Sequence, residues 1–193
     1  MPTIPPLPPR RHFLSTLGAI LAFHPKLLAI SNKIESPGLA QFGRRFVTGL
    51  DSSGKSTITD DGPVPSNATW KRPGKEGFRE GFEFWLVRNL PAALNEATDP
   101  LIGWEPINEA PPGGLVARFV SWQPGFEAPL HKTPTLDLVI VLSGKLELGL
   151  ETESRMLGPG DVVVQRGTAH WWRVPGPEPC TLAAILVDAS PGK

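Results

Sequence analysis

The segment over residues 115–188 consists of short β-like stretches separated by tight turns. In residues 145–151 every second residue is a leucine, and the residues between them are charged or glycine. This two-residue period is typical of a strand with one buried face. Ser143-Gly144 forms a turn signal between this strand and an apolar strand predicted at 135–142. Short strands at this spacing predict an all-β sandwich or barrel.

The same pattern extends over most of the chain. Further strands are predicted at 44–49, 56–59, 81–88, 115–122, 162–165, 169–174 and 181–187. Residues 51–54 predict a hairpin turn between the first two. Residues 60–77 and 91–114 are predicted to be loops, the second with one helical turn near 92–96. The 23 prolines and 20 glycines of the 193-residue chain fit such frequent turns and argue against a helical bundle.

Charge and cysteine content exclude several classes of protein. Lys+Arg and Asp+Glu balance at 19 each, which argues against a nucleic-acid partner. The single cysteine, Cys180, excludes a disulfide framework and a cysteine-rich zinc site. No apolar run reaches the roughly 18 residues of a transmembrane helix, so no membrane partner is expected. Glycine-rich phosphate loops are also absent, and no nucleotide cofactor is predicted.

Residues 1–43 are predicted to be an N-terminal arm or a targeting segment, followed by one domain at 44–193. Arg10-Arg11 precedes an apolar stretch, and Ala29-Ile30-Ser31 is a possible cleavage site. The interpretation stays open between an export signal, a mitochondrial presequence and an arm that packs on the body or on a second subunit. Intracellular localisation is favoured, with export or organellar targeting through residues 1–31 as the alternative.

Two groups of residues at characteristic intervals restrict the possible β folds further. In the first set the intervals are five, one, three and six residues between Gly125, His131, Thr133, Asp137 and Gly144. The second set comprises Gly160, Gly167 and His170. Together they resemble the two motifs of the cupin superfamily, over about residues 44–188 and most strongly over 115–188. The resemblance implies a double-stranded β-helix, or jelly-roll, barrel that forms homodimers through sheet edges and swapped arms.

The chain departs from the usual cupin pattern at several positions. Thr133 stands at the usual second histidine, and Asp137 replaces the usual glutamate. The second motif is one residue short before Gln165, where proline is usual, and it ends in Val174 instead of asparagine.

The resemblance implies a metal site formed by His131, Asp137 and His170. Two histidines and one carboxylate suit iron, zinc or manganese. Because threonine replaces the second histidine of the first motif, a metal-free pocket remains the alternative. His131, Thr133, Thr135 and Asp137 are all odd-numbered, so a continuous extended segment places them on one face.

The candidate catalytic residues are therefore His131, His170 and Asp137. The candidates for a substrate pocket are Arg118, Trp122, Lys132, Thr133, Thr135 and Trp172. Arg118 lies on an otherwise apolar face and needs a partner, either a structural carboxylate, which is favoured, or an acidic substrate.

Three functions remain open because the cupin fold supports many chemistries. The first is a lyase or isomerase acting on a small organic molecule of specialised, polyketide-like metabolism by dehydration, decarboxylation or proton transfer. The second is a metal-dependent dioxygenase with a 2-His-1-carboxylate site. The third is a non-catalytic barrel that binds or senses a small ligand. The pocket candidates are apolar and aromatic and include no basic cluster, so a neutral or weakly acidic aromatic or polyketide-like ligand is expected over a phosphate or nucleotide.

Overall fold

The computed structural model describes residues 39, 42–74, 78–94 and 96–190. These residues contain β1 (Arg44–Leu50), β2 (Ser56–Pro63), β3 (Thr69–Pro73), β4 (Phe78–Val87), β5 (Leu115–Trp122), β6 (Glu127–His131), β7 (Thr135–Ser143), β8 (Leu146–Gly149), β9 (Ser154–Leu157), β10 (Val162–Arg166), β11 (His170–Arg173) and β12 (Cys180–Asp188). A short 3-10 turn, Ser66–Ala68, precedes β3. The all-β prediction is confirmed. In the described part, no helix is long and apolar enough to cross a membrane.

The strands form three sheets. β1 and β2 make a separate hairpin. The six-stranded sheet has the order β10-β7-β12-β5-β4-β3, and the four-stranded sheet has the order β6-β11-β8-β9. Every strand pair is antiparallel. Buried residues from the two larger sheets, such as Val116 and Leu146, belong to one hydrophobic cluster, so these sheets enclose a common core.

Alternation along the strands decides which side chains reach this core. In β7 the odd-numbered residues from Thr135 to Ser143 are buried, while the even-numbered residues face outward. In β5 the even-numbered residues, including Arg118 and Trp122, are buried. This period brings polar side chains of both strands into the interior beside apolar ones.

Three sequence predictions are wrong in detail. The loop predicted at 60–77 contains the end of β2 and all of β3, because β3 pairs with β4 and this pairing overrides the turn-rich composition. Residues 92–94 and 96 are not helical. The segment 131–137 is not one extended strand. It is interrupted around Pro134, and His131 belongs to the four-stranded sheet whereas Asp137 belongs to the six-stranded sheet.

The arm or targeting segment predicted at 1–43 lies outside the described residues, apart from positions 39, 42 and 43. That interpretation and the domain boundary stay predictions.

Candidate active site

Two histidines face each other across neighbouring strands of the four-stranded sheet. His131 ends β6 and His170 begins β11, and the two are directly opposite in the antiparallel register. Their ring centroids are 4.3 Å apart, with the ring planes inclined at 52°. The long-range pairing of β6 with β11 therefore brings together two residues that lie 39 positions apart in the sequence.

Each imidazole is held by a backbone carbonyl two residues earlier. Nδ1 of His131 lies 2.7 Å from the carbonyl oxygen of Pro129. Nδ1 of His170 lies 2.8 Å from the carbonyl oxygen of Thr168. Because a carbonyl oxygen only accepts hydrogen bonds, Nδ1 carries the hydrogen in both rings. In the neutral form Nε2 is then left with a free lone pair, ready to accept a proton or bind a metal.

His170 is only 2% exposed, and this burial shifts its titration. Removal from water disfavours the charged ring and lowers the pKa of His170. The carbonyl of Thr168 and the nearby Asp137 oppose this effect, whereas His131 adds to it. His170 is therefore a neutral base at pH 7.

Asp137 supplies a buried carboxyl group within electrostatic range of His170. Burial raises its pKa above the usual value for aspartate. Thr135, His170, Arg118 and Thr133 each oppose this rise by stabilising the charged form. The two threonine hydroxyls stop short of a full hydrogen-bonding geometry. Asp137 is therefore more easily protonated than an exposed aspartate.

The donor set does not fit the three-ligand metal site that the resemblance implies. In the described ranges, no three His, Cys, Asp or Glu side chains are grouped so that they could share a metal ion. Asp137 is one methylene shorter than the usual glutamate, and it extends from the opposite sheet. Thr133 is a poor ligand at the position where a histidine is usual. The two imidazoles remain the only part of the predicted set with ligand-like orientation.

Aromatic side chains form a wall next to His170. Trp172 contacts the ring of His170 edge-on, with centroids 5.6 Å apart. Trp122 contacts Trp172 in the same manner at 5.8 Å, and Phe126 packs on Trp122 at 5.1 Å. Of the two pocket tryptophans predicted from the sequence, Trp172 therefore contacts His170 directly, and Trp122 lies behind Trp172. Lys132, by contrast, is exposed to solvent.

Arg118 has a structural partner. Its guanidinium lies 3.0 Å from the carboxylate of Glu83, which has no exposed surface. Arg118 also donates to the carbonyl oxygens of Ile107 and Asn108, at 3.1 and 3.3 Å. Trp104 donates to the other oxygen of Glu83. Burial lowers the pKa of Arg118 to about 10, which leaves it charged at neutral pH. Of the two partners expected for Arg118, the structure therefore shows the carboxylate.

Two partly buried arginines of β3 and β4 act on Arg118. Arg72 and Arg79 are opposite each other on β3 and β4, and both act electrostatically on Arg118. Arg72 and Arg79 both donate to the side-chain oxygen of Asn108, and Arg72 also donates to the carbonyl of Pro106. These hydrogen bonds hold residues 106–108 against the barrel. Sequence reasoning missed these arginines because residues 60–77 were interpreted as a loop and the next strand was predicted to begin only at residue 81.

Comparison with known proteins agrees with this architecture. The family model described as "Cupin domain" matches residues 118–187. The chain is 36% identical over 158 residues to Oryzines biosynthesis cluster protein J of Aspergillus oryzae, covering 76% of this chain and 83% of that protein. It is 32% identical over 142 residues to Cupin-domain-containing oxidoreductase srdD of Neurospora crassa, covering 71% and 68%.

Among solved structures, the polyketide cyclase RemF of Streptomyces resistomycificus is 16% identical, with a TM-score of 0.45 over 67% of this chain and 80% of that one. On the strength of the curated relatives and the family model, the chain belongs to the cupin superfamily. Its fold is the jelly-roll barrel expected from the two motifs.

Proposed function

We propose that this barrel is an enzyme of secondary metabolism that transfers a proton on a small organic substrate. The relatives named as biosynthesis cluster proteins support the metabolic setting. The reaction class is that of a lyase or isomerase, with dehydration, decarboxylation and isomerisation as its members.

The geometry of His170 carries this proposal: its Nδ1 is held by the carbonyl of Thr168, so Nε2 is free to accept a proton. The pKa directions of His170 and Asp137 agree with it. Burial lowers the pKa of His170 and raises that of Asp137. A neutral imidazole with a fixed tautomer is suited to accept a proton, and a buried carboxyl group is suited to donate one. The two groups also interact electrostatically, which supports a role for both in one reaction.

Dehydration uses both groups. Nε2 of His170 removes a proton from the carbon next to a carbonyl group. The carbon–oxygen bond at the following carbon breaks, and the departing hydroxyl group takes the proton of Asp137 and leaves as water. A carbon–carbon double bond forms between the two carbons. Exchange with solvent then returns His170 and Asp137 to their starting protonation states.

The walls of the site favour an aromatic or polyketide-like substrate. Trp122 and Trp172 are 8% and 5% exposed and pack on each other, and Trp172 also contacts His170, so aromatic rings surround the proposed base. Aromatic walls with a few polar groups are typical of sites for small organic ligands. The buried Arg118 is compensated by Glu83, so it is assigned to the support of the site and not to an acidic substrate.

Deuterium incorporation tests the proposal without knowledge of the product. Purified protein is incubated in D2O with a panel of enolisable ketones, β-hydroxy ketones and β-keto acids, and the panel is analysed by mass spectrometry. The variant His170→Asn keeps a donor toward the carbonyl of Thr168 but lacks the base. Lys145→Gln, at an exposed position, is the matched control.

We expect the wild type and Lys145→Gln to introduce deuterium or eliminate water, and His170→Asn to lose at least 100-fold in rate, as is typical of a lost general base. Equal rates in His170→Asn would contradict the role of His170. No turnover of any compound, together with tight binding of one of them, would favour the non-catalytic binding barrel.

A metal-dependent oxidoreductase is the second candidate. Two observations support it: the relative srdD is named an oxidoreductase, and both imidazoles present Nε2 as metal-binding histidines do. A metal held by His131 and His170 would supply Lewis-acid or redox chemistry. Oxygen consumption in the same panel, present only after loading with Fe(II), would favour this candidate over proton transfer.

A further inference from the structure

Gln165 is a buried polar residue whose role is not indicated by the motif pattern. It lies on β10 and is 4% exposed, between Val164 and Arg166, whose side chains face solvent. In the antiparallel register it is directly opposite Asp137. Residues that are directly opposite on neighbouring strands share a face of the sheet. The side chain of Gln165 therefore faces the interior beside Asp137.

The orientation of the Gln165 amide is fixed by two donors. The backbone N–H of Arg166 donates to Oε1 at 3.1 Å, and the hydroxyl of Thr168 donates to the same oxygen at 2.5 Å. A backbone N–H can only donate, so the atom that it meets must be the amide oxygen. The amide nitrogen Nε2 therefore has no freedom to exchange places with Oε1.

Nε2 of Gln165 is buried and has no hydrogen-bond partner among the described residues. Oδ1 of Asp137, on the opposite strand, is in the same situation. An unsatisfied buried donor costs about 1–3 kcal/mol, so such groups in native proteins call for a functional explanation. Because the amide is held from its other side, Nε2 is a preorganised donor in the interior of the barrel.

We propose that Nε2 of Gln165 binds the carbonyl oxygen of the substrate and stabilises the negative charge that develops on it during proton removal. The inference rests on the proposed function and specifies its substrate class, a carbonyl compound whose neighbouring carbon loses the proton. Preorganised donors of this kind stabilise oxyanions because they need no reorientation during the reaction. Asp137, on the opposite strand, is then in position to donate a proton to the departing hydroxyl group.

Gln165 also anchors the turn that orients His170. The hydroxyl of Thr168 donates to Gln165, and the carbonyl of Thr168 accepts from His170. The two roles can be separated by a pair of variants. Gln165→Met removes the donor Nε2 and the anchor together, with little change in side-chain volume. Thr168→Val removes one anchoring hydrogen bond but leaves Nε2 in place, and the carbonyl of residue 168 still accepts from His170.

Binding of 4-nitrophenol and nitrobenzene tests the proposal independently of turnover. The first offers an aromatic oxyanion when ionised, and the second has a similar ring without that oxygen. We expect the wild type to bind 4-nitrophenolate at least tenfold more tightly than nitrobenzene, and Gln165→Met to lose that preference. Thr168→Val should lose only part of it, because the N–H of Arg166 still holds the amide. Absorbance of the bound phenolate and calorimetry give the two affinities.

Two results would overturn the assignment. One is a wild type that binds the two probes equally. The other is a preference that Thr168→Val and Gln165→Met lose to the same extent, since that would reduce Gln165 to an anchor. Failure of the proposed function would look different: the phenolate would bind through Gln165, but no deuterium would enter any carbonyl compound.

Discussion

Glu83 and Arg118 form an ion pair at 3.0 Å inside the barrel, on adjacent strands and directly opposite each other. Glu83 has no exposed surface and Arg118 is 5% exposed. The pair holds together β4, β5 and the backbone of residues 107–108 at the wall of the candidate site.

Removal of one partner of this pair is expected to destabilise the fold. Glu83→Gln or Arg118→Met leaves an uncompensated buried charge, and we expect a loss of about 3–5 kcal/mol in the free energy of unfolding. The double variant Glu83→Gln/Arg118→Met removes both charges, so its loss should be smaller than the sum of the single losses. Urea denaturation provides the three values. Additive losses would show that the two residues do not interact.

Asp137 is expected to lower stability at neutral pH. Burial raises its pKa in the folded state, so the folded protein binds this proton more tightly than the unfolded chain. The resulting loss of unfolding free energy is absent below the unfolded pKa near 3.8. It grows as the pH rises through the folded pKa of Asp137. Asp137→Asn should therefore raise Tm more at pH 8 than at pH 4, while the elimination of water is lost. A Tm that falls equally at both values would contradict the protonation argument.

His170 makes stability depend on pH in the opposite direction. Its folded pKa is lowered, so the unfolded chain takes up the proton first as the pH falls. The contribution of His170 to the free energy of unfolding is fully present above its unfolded pKa of 6.5. It is lost as the pH falls from there toward the folded pKa. His170→Asn should flatten the stability profile in this window, which denaturation at half-unit pH steps would measure. An unchanged slope between pH 7 and 5 would contradict the prediction.

Thr133→His restores the histidine usual in the cupin pattern. If the backbone there follows the family path, the third imidazole should convert the pair His131 and His170 into a three-ligand set and tighten Zn²⁺ binding at least tenfold. Competition with a chromophoric chelator measures the change. Thr135→His, two residues further along the chain, is the matched control. Equal affinity of Thr133→His and the parent protein would show that Thr133 does not occupy a ligand position.

The outer face of the six-stranded sheet predicts a homodimer. Nine positions on three adjacent strands form this face, and eight are apolar: Val162, Val164, Leu136, Leu138, Ile140, Ala183, Ile185 and Val187, with Arg166 as the ninth. Val162 and Val164 are 58% and 54% exposed. With strands about 4.8 Å apart, the patch covers a few hundred Å², the size that marks interaction surfaces.

We expect a second copy of the chain to pack on this face, because apolar sheet faces pack well on each other and most homodimers use the same patch twice. Val164→Lys should give monomers in sedimentation velocity at micromolar concentration. Met156→Lys, at an apolar position 52% exposed on the other sheet, should remain dimeric. A monomeric wild type would contradict the prediction.

Sequence patterns predicted the strands of the barrel better than they predicted which distant residues come together at the candidate site. The two-residue period over residues 145–151 is local, so the period alone indicated a strand with one buried face. The approach of His131 to His170 depends on pairing between β6 and β11, and β6 was not predicted as a strand. The bend near Pro134 moved Asp137 to the other sheet, which a parity argument along one segment could not foresee.

The same reasoning explains the residues that were missed. Glu83 lies in a mostly apolar strand, and its role depends on the cross-strand register with Arg118. Gln165 stands where the cupin pattern usually has proline, so the departure itself was visible. Its opposition to Asp137 follows only from the pairing of β10 with β7.

The protonation state of His170 tests the account most directly. The chain has only four histidines, so 15N-histidine labelling gives few signals, and His131→Asn and His170→Asn assign the two of the site. We predict that long-range 15N–1H spectra of chelator-treated protein at pH 7 show neutral His170 with hydrogen on Nδ1 and a bare Nε2, and a pKa below 6.5. A His170 ring that carries its hydrogen on Nε2, or that is positively charged at pH 7, would contradict its role as the base.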